Sequence, residues 1–235
     1  MDPGLADWLE DRLSSGEVLG QGYQATVRRF RDSPSGPLVV KSPHAGSWLA
    51  WLGRRAIRRE AEVYERLAGI PGIPRSFGLV ANEHLVLEDA SGKSLRQLAR
   101  EGEAGPADRE RFFGRMLQTI LAMHAAGVAH GDLKRKDNTL VGPDETPYLI
   151  DFGIAAVDRG SRGMGRIWFD WVRQMDLNAW IKLKHGRRPE ALPAEDAALY
   201  RPLWIERCAR WVRVPWQKLT LRRPRQRWRK RRQQR

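Results

Sequence analysis

Asp132, Asn138 and Asp151 are the residues of this sequence whose types and order best suit chemistry at a phosphate. A carboxylate such as Asp132 can accept the proton of an attacking hydroxyl, and an amide oxygen beyond it, that of Asn138, can bind a metal ion. Asp151 closes an apolar stretch and is followed by Phe152 and the flexible Gly153, a setting that suits chelation of a phosphate-bound magnesium ion. Upstream, Gly20-Gln21-Gly22-Tyr23-Gln24-Ala25-Thr26-Val27 lies between two predicted strands, and its glycines would let backbone amides approach phosphate oxygens closely. Lys41 ends a short strand, and Glu60 stands on the helix that follows; a lysine that grips phosphates needs a carboxylate to steady its flexible stem. Each piece also has a plain structural reading. Glycine turns join ordinary strands, and a strand-end lysine or a helix acid is commonly solvated, with Glu62 and Glu65 as near to hand as Glu60.

The elements that must position these groups are readable from periodicity. Glu17 to Leu19 lead into the glycine turn and Ala25 to Phe30 lead out of it, while the cluster from Asp32 to Pro37 marks a turn before the buried-type strand Leu38-Val39-Val40-Lys41. Helical spacing of Leu52, Ala56, Val63 and Leu67 predicts one helix from about Ala50 to Ala68, stopped by Gly69 and Pro71. Strands are expected at Ser76–Val80 and His84–Glu88. From Pro106 onward Phe112, Phe113, Met116, Leu117, Ile120, Leu121 and His124 recur at three and four, which predicts a helix buried along a wide face. Short strands at Thr139–Val141 and Tyr148–Ile150 bracket the candidate residues. A sheet-rich front and a helix-rich back make an α+β fold of two lobes with a cleft between them.

The four pieces, in this order and on these elements, resemble the signature set of the protein-kinase superfamily over Leu19 to about Asp176. The resemblance implies a two-lobed protein-kinase-like fold with a small antiparallel-sheet N-lobe and a reduced helical C-lobe. It implies that Gly20, Gly22, Ala25 and Val27 cover ATP, that Lys41 binds its α and β phosphates and pairs with Glu60, and that Glu88 to Ala90 face adenine through backbone groups. Asp132 would be the catalytic base, Lys134 would steady the transferred phosphoryl group, and Asn138 and Asp151 would hold Mg2+. Asp176 would be the helix acid that anchors the catalytic loop, and His130 a buried residue that positions it.

The departures from that pattern carry information. The third glycine is Ala25, and the stretch from Asp132 to Asn138 is one residue longer than usual, which leaves Asp137 as a second candidate for the metal. Gly131 stands where regulated protein kinases usually carry the arginine that answers a phosphorylated loop, so no such dependence is expected. The segment after Gly153 is short, and the part of the helical lobe that commonly builds a peptide platform is reduced. Those features resemble the atypical, small bacterial branch that includes kinases of lipopolysaccharide core sugars. The expected reaction is therefore transfer of the ATP γ-phosphoryl group to a hydroxyl, with an envelope glycolipid sugar as first acceptor and a serine or threonine of protein as the alternative. A catalytically silent kinase fold acting as a binding module is the rival of another class.

Charge adds a partner expectation. The 235 residues carry a formal +14, and nine basic residues with no acid fall between Arg222 and Arg235. From Leu203 to Val214 a helical projection sets Trp204, Ile205, Cys208, Trp211 and Val212 opposite Arg207, Arg210 and Arg213, a pattern that fits either packing on the helical lobe or an anionic membrane surface. The tail could equally contact RNA, the lesser expectation. The expected units are thus 1–90, 91–200, and 201–235 as amphipathic helix and polybasic tail. One cysteine, no basic-apolar leader after Met1 and no apolar run near the roughly 18 residues of a spanning helix give a cytoplasmic expectation, with peripheral membrane contact open. His44, His84, His124 and His185 show no metal-ligand spacing.

Overall fold

The structure is a computed structural model, which describes residues 3–21, 25–43, 50–160, 162–186 and 192–201. Strands β1 (Glu17–Gln21), β2 (Ala25–Phe30) and β3 (Leu38–Pro43) form an antiparallel meander. Helix α2 (Ala50–Arg66) follows, and then the hairpin of β4 (Ser76–Val80) and β5 (His84–Glu88), giving one five-stranded sheet in the order β1-β2-β3-β5-β4. Alternation along β3 divides its side chains between two environments. Leu38 and Val40 enter a small core with Phe30, Val80 and Val86, whereas Val39 and Lys41 face the cleft.

That small core is capped by helix α1 (Pro3–Glu10), whose Leu5 and Leu9 are fully buried, so the front half contains two helices where the sequence predicts one. Helix α2 covers the other side of the sheet. Its buried positions Ile57, Ala61 and Tyr64 follow helical spacing, and Glu60 lies on the same face, while Glu62 and Glu65 are exposed. Leu52, in the first turn, is exposed. The basic run of this helix is largely spent on structure: Arg54 pairs with Glu83 at 2.6 Å, Arg58 donates to the Asn82 carbonyl at 3.0 Å, and Arg59 to the Ala155 carbonyl at 2.8 Å.

The back half is helical. A second unpredicted helix, α3 (Leu95–Glu101), is capped by the Ser94 hydroxyl, which accepts from the Gln97 amide at 3.1 Å, and ends at Gly102 in the left-handed region. Helix α4 (Arg109–Ala125) starts under an Asp108 cap and buries Phe112, Phe113, Met116, Ile120 and Met123; Leu121, expected inside, is on its exposed side. Helix α5 (Met164–His185) crosses α4, and the fully buried Trp180 donates its indole N–H to the Phe113 carbonyl at 2.8 Å. Helix α6 (Ala194–Leu199) is tied back by Asp196, which receives Lys184 at 2.9 Å and His185 at 2.6 Å. Minor strands pair as β7 (Val128–Ala129) with β10 (Ala156–Val157), and as β6 (Lys93–Ser94), β8 (Thr139–Val141) and β9 (Pro147–Leu149) in the order β6-β8-β9. The predicted segments beyond Arg201, including 203–214 and the arginine-rich end, lie outside the described residues. No helix among the described residues is long and apolar enough to cross a membrane.

The loop between α2 and β4 fastens the two halves together. The Leu149 amide donates to the Gly72 carbonyl at 2.8 Å, and the Thr119 hydroxyl donates to the Pro71 carbonyl at 2.8 Å. Gly72 has φ +82, and a Cβ there would sit 2.6 Å from the Pro147 carbonyl oxygen and 2.7 Å from the Thr119 hydroxyl. Gly72→Ala is therefore expected to cost about 2–4 kcal/mol, from left-handed strain plus overpacking, read as a lowered midpoint in chemical denaturation.

Candidate active site

Sheet and helices meet at a cleft of about 1070 Å³. Register puts Lys41 on its floor: it pairs across β2 with Val27 and across β5 with Leu85. Its ammonium lies 2.6 Å from Glu60 Oε2 and 2.9 Å from Asp151 Oδ1. Burial pulls the Lys41 pKa down, but the two carboxylates outweigh it, and the net position is above the ordinary lysine value. For Asp151 burial pushes up, but Lys41, with His130 and Arg135 beyond it, outweighs that, so its carboxyl sits below its usual range. Asp151 adopts φ +68, a region that non-glycine residues seldom use and that tertiary contacts must maintain here. The next side chain supplies such contacts, because Phe152 is buried between the rings of Tyr64 on α2, 5.1 Å away, and His130, 4.8 Å away.

The loop carrying Asp132 is held from below by Asp176. This carboxylate is 1% exposed and accepts from the amides of His130 at 2.7 Å and Gly131 at 2.9 Å, with His124 Nε2 at 3.1 Å. His130 is itself fully buried. Its Nε2 donates to the Ile150 carbonyl at 3.0 Å and its Nδ1 accepts from the Asp132 amide at 3.3 Å, which assigns the ring proton to Nε2. Gly131, φ +78, makes the sharp turn between these two anchors. The result is a rigid presentation of Asp132 at the cleft.

Beyond Asp132 the chain makes a 3-10 turn over Lys136–Asn138. Asn138 is buried there, and its Nδ2 donates to the Asp132 carbonyl at 3.2 Å, which leaves the amide oxygen as its donor atom to a ligand. Asp137 is engaged by Arg96 at 2.8 Å. Gly20, Ala25, Val27, Lys41, Glu60, Glu88, Ala90, Asp132, Asn138 and Asp151 all line the one cleft. Two expected residues do not join them: Lys134 is exposed and outside the lining, and Gly22 lies outside the described residues. The Glu88 carboxylate accepts from the Arg75 amide at 3.1 Å.

Sequence reasoning missed several lining residues. Arg135, not Lys134, reaches the cleft, with Nη1 3.7 Å from Asp132 Oδ2. Nothing in the basic run Lys134-Arg135-Lys136 distinguishes its members. Arg29 pairs with Asp89 at 2.8 Å and braces β2 against the segment after β5; its alternation with Val27 on β2 was a usable signal.

A sequence profile described as "Protein kinase domain" matches residues 13–166. A putative cyclin-dependent kinase F-2 of Oryza sativa subsp. japonica is 33% identical over 153 residues, covering 59% of this chain and 46% of that protein. CBL-interacting protein kinase 26 of the same plant is 31% identical over 161 residues, 67% of this chain and 32% of the relative. An Aurora kinase of Encephalitozoon cuniculi (strain GB-M1) is 29% identical over 163 residues, 67% of this chain and 59% of the relative. The chain thus spans less than half the length of the first two relatives, and none of the three is described as a kinase of sugars. A profile match over more than half of its length shows that the chain belongs to the protein kinase family.

Proposed function

We propose that this protein transfers the γ-phosphoryl group of ATP to an alcohol, and that the acceptor is a serine or threonine hydroxyl of a protein. The observation that carries the reading is Lys41, charged and held by Glu60 and Asp151, facing Asp132 and Asn138 across one cleft. In this arrangement Asp132 takes the proton of the acceptor hydroxyl as its oxygen bonds to the γ-phosphorus, the bond to the β-phosphate oxygen breaks, and ADP leaves with that electron pair. Lys41 neutralises phosphate charge, and Arg135 lies close enough to the base to do the same at the transferred group. The backbone from Glu88 to Ala90 receives adenine, since the Glu88 carboxylate is engaged by the Arg75 amide. The plant and microsporidian relatives support the protein acceptor.

The site residues also suit a divalent cation. Asn138 offers an amide oxygen, and Asp151 keeps Oδ2 beyond the oxygen that meets Lys41, an all-oxygen pair of the sort that Mg2+ uses together with phosphates. Among the described residues no group of three or more His, Cys, Asp or Glu could hold a metal by itself. When bound, Mg2+ would offset the negative charge of the phosphates.

One observation favours a second acceptor. Only residues 154–163 connect Gly153 to α5, a span too short to build an extended peptide-binding platform, and this suits a compact hydroxyl such as an envelope glycolipid sugar. Radiolabelled ATP offered with generic protein substrates and core glycolipid in parallel separates the two. Label on protein supports the first reading; label on glycolipid alone overturns it.

Three further outcomes are expected. Asp132→Asn and Lys41→Met should each lower phosphoryl transfer by about 10²-fold or more, and undiminished turnover in either would indicate a binding module rather than an enzyme. Asn138→Ala should raise the Mg2+ concentration for half-maximal turnover by about tenfold, whereas Asp137→Ala should leave it nearly unchanged, as read from metal titrations. Asp176→Ala strands the His130 and Gly131 amides in the interior and should cost about 3 kcal/mol or more of stability. Its turnover, measured where the protein remains folded, should fall with that of the Asp132 variant.

A further inference from the structure

Helix α5 departs from the usual rule for amphipathic helices at its N-terminal end. Its inner face buries Phe169, Val172 and Asp176, yet Met164, Ile167 and Trp168, at spacings of three and four, are 86%, 69% and 58% exposed. Trp171, one turn on and half-buried against the core, stacks on Trp168 with ring centroids 4.9 Å apart and backs the stripe. Ile154, 64% exposed, lies across Gly131 from α5: a side chain built at Gly131 would meet Val172 at 3.4 Å and Ile154 at 3.9 Å. Ile154 also lines the cleft. The patch therefore begins at the cleft mouth, beside the residue that precedes Asp132. Contiguous apolar exposure of this kind on a soluble fold marks an interaction surface.

The charges around the patch identify the partner. Arg159 and Arg162 are exposed between Ile154 and Met164. Asp158 and Asp170, the acids nearest in sequence, are already answered by Arg166 at 2.8 and 3.1 Å, and Asp170 by Arg173 as well at 3.4 Å. Exposed Lys134 and Lys136 lie on the catalytic loop. A partner that meets this surface presents apolar matter inside an anionic margin, and a tryptophan at the edge of such a stripe suits the boundary between acyl chains and headgroups.

We propose that the stripe Met164-Ile167-Trp168, with Ile154, docks the protein on an anionic lipid surface, with the cleft mouth turned to the headgroups. The inference stands apart from the phosphoryl-transfer reading, because docking is measurable without ATP. The basic residues from Arg222 to Arg235 would add attraction to the same kind of surface.

The test is cosedimentation of the full chain with vesicles of phosphatidylcholine, alone or with phosphatidylglycerol. Ile167→Asp and Trp168→Asp are compared with Trp51→Asp, which alters an exposed tryptophan on α2, and thermal unfolding verifies that each variant is folded. Expected are binding that requires the anionic lipid, an approximately tenfold loss in the two α5 variants, and no loss in Trp51→Asp. Wild-type binding by the α5 variants would show that the tail alone suffices, and would overturn the proposal. So would an absence of vesicle binding, or a change confined to self-association or to affinity for a soluble peptide.

Discussion

Everything at this site depends on one ammonium group shared by two carboxylates. Lys41 comes from β3, Glu60 from α2 and Asp151 from the turn after β9, so one nitrogen with contacts of 2.6 and 2.9 Å ties sheet, helix and turn together. Removing water from these groups is costly, and only mutual pairing makes their burial tolerable. Any rotation of α2 that withdrew Glu60 would leave a buried carboxylate unpaired. The triad also carries one negative charge in excess, directed at a cleft that Asp132 and Asp137 line as well. A cationic ligand, or a nucleotide bringing its metal, meets a site already biased in its favour.

A second constraint acts on the loop from beneath. Asp176 accepts two successive backbone amides, those of His130 and Gly131, and the positive φ of Gly131 then turns the chain so that the next amide, that of Asp132, donates to the His130 ring instead. An additional tie comes from α2, where Arg59 reaches the Ala155 carbonyl and Arg66 the Ala126 carbonyl at 2.7 Å. Helix α2 is thus held by backbone acceptors that are permanently present.

The parts legible in the sequence were those with a strong period or a strong stop. Ser76–Val80 and His84–Glu88 are found where they are expected, and Thr139–Val141 likewise. Helices α1 and α3 went unseen because eight and seven residues are too few for a 3.6 period to stand out, and both are fixed by tertiary packing or by a cap. Glu60 could be told from Glu62 and Glu65 only through its phase with Ile57, Ala61 and Tyr64, a comparison that needs the buried face to be known. The one-residue excess before Asn138 is absorbed in a 3-10 turn, whose geometry no spacing rule supplies. Lys134 and Arg135 could not be told apart for the same reason: the turn decides which of two adjacent cations lines the cleft.

The brevity of the span from Gly153 to α5 bears on pharmacology. With Phe152 clamped between Tyr64 and His130 and Ala155 fastened to Arg59, there is little slack for the aromatic ring to swing out and vacate its pocket. Compounds that fill the cleft as it stands find their site ready-made. Those that need the phenylalanine pocket emptied first must break the ring contacts and strain a ten-residue tether, so this chain should discriminate sharply between the two classes.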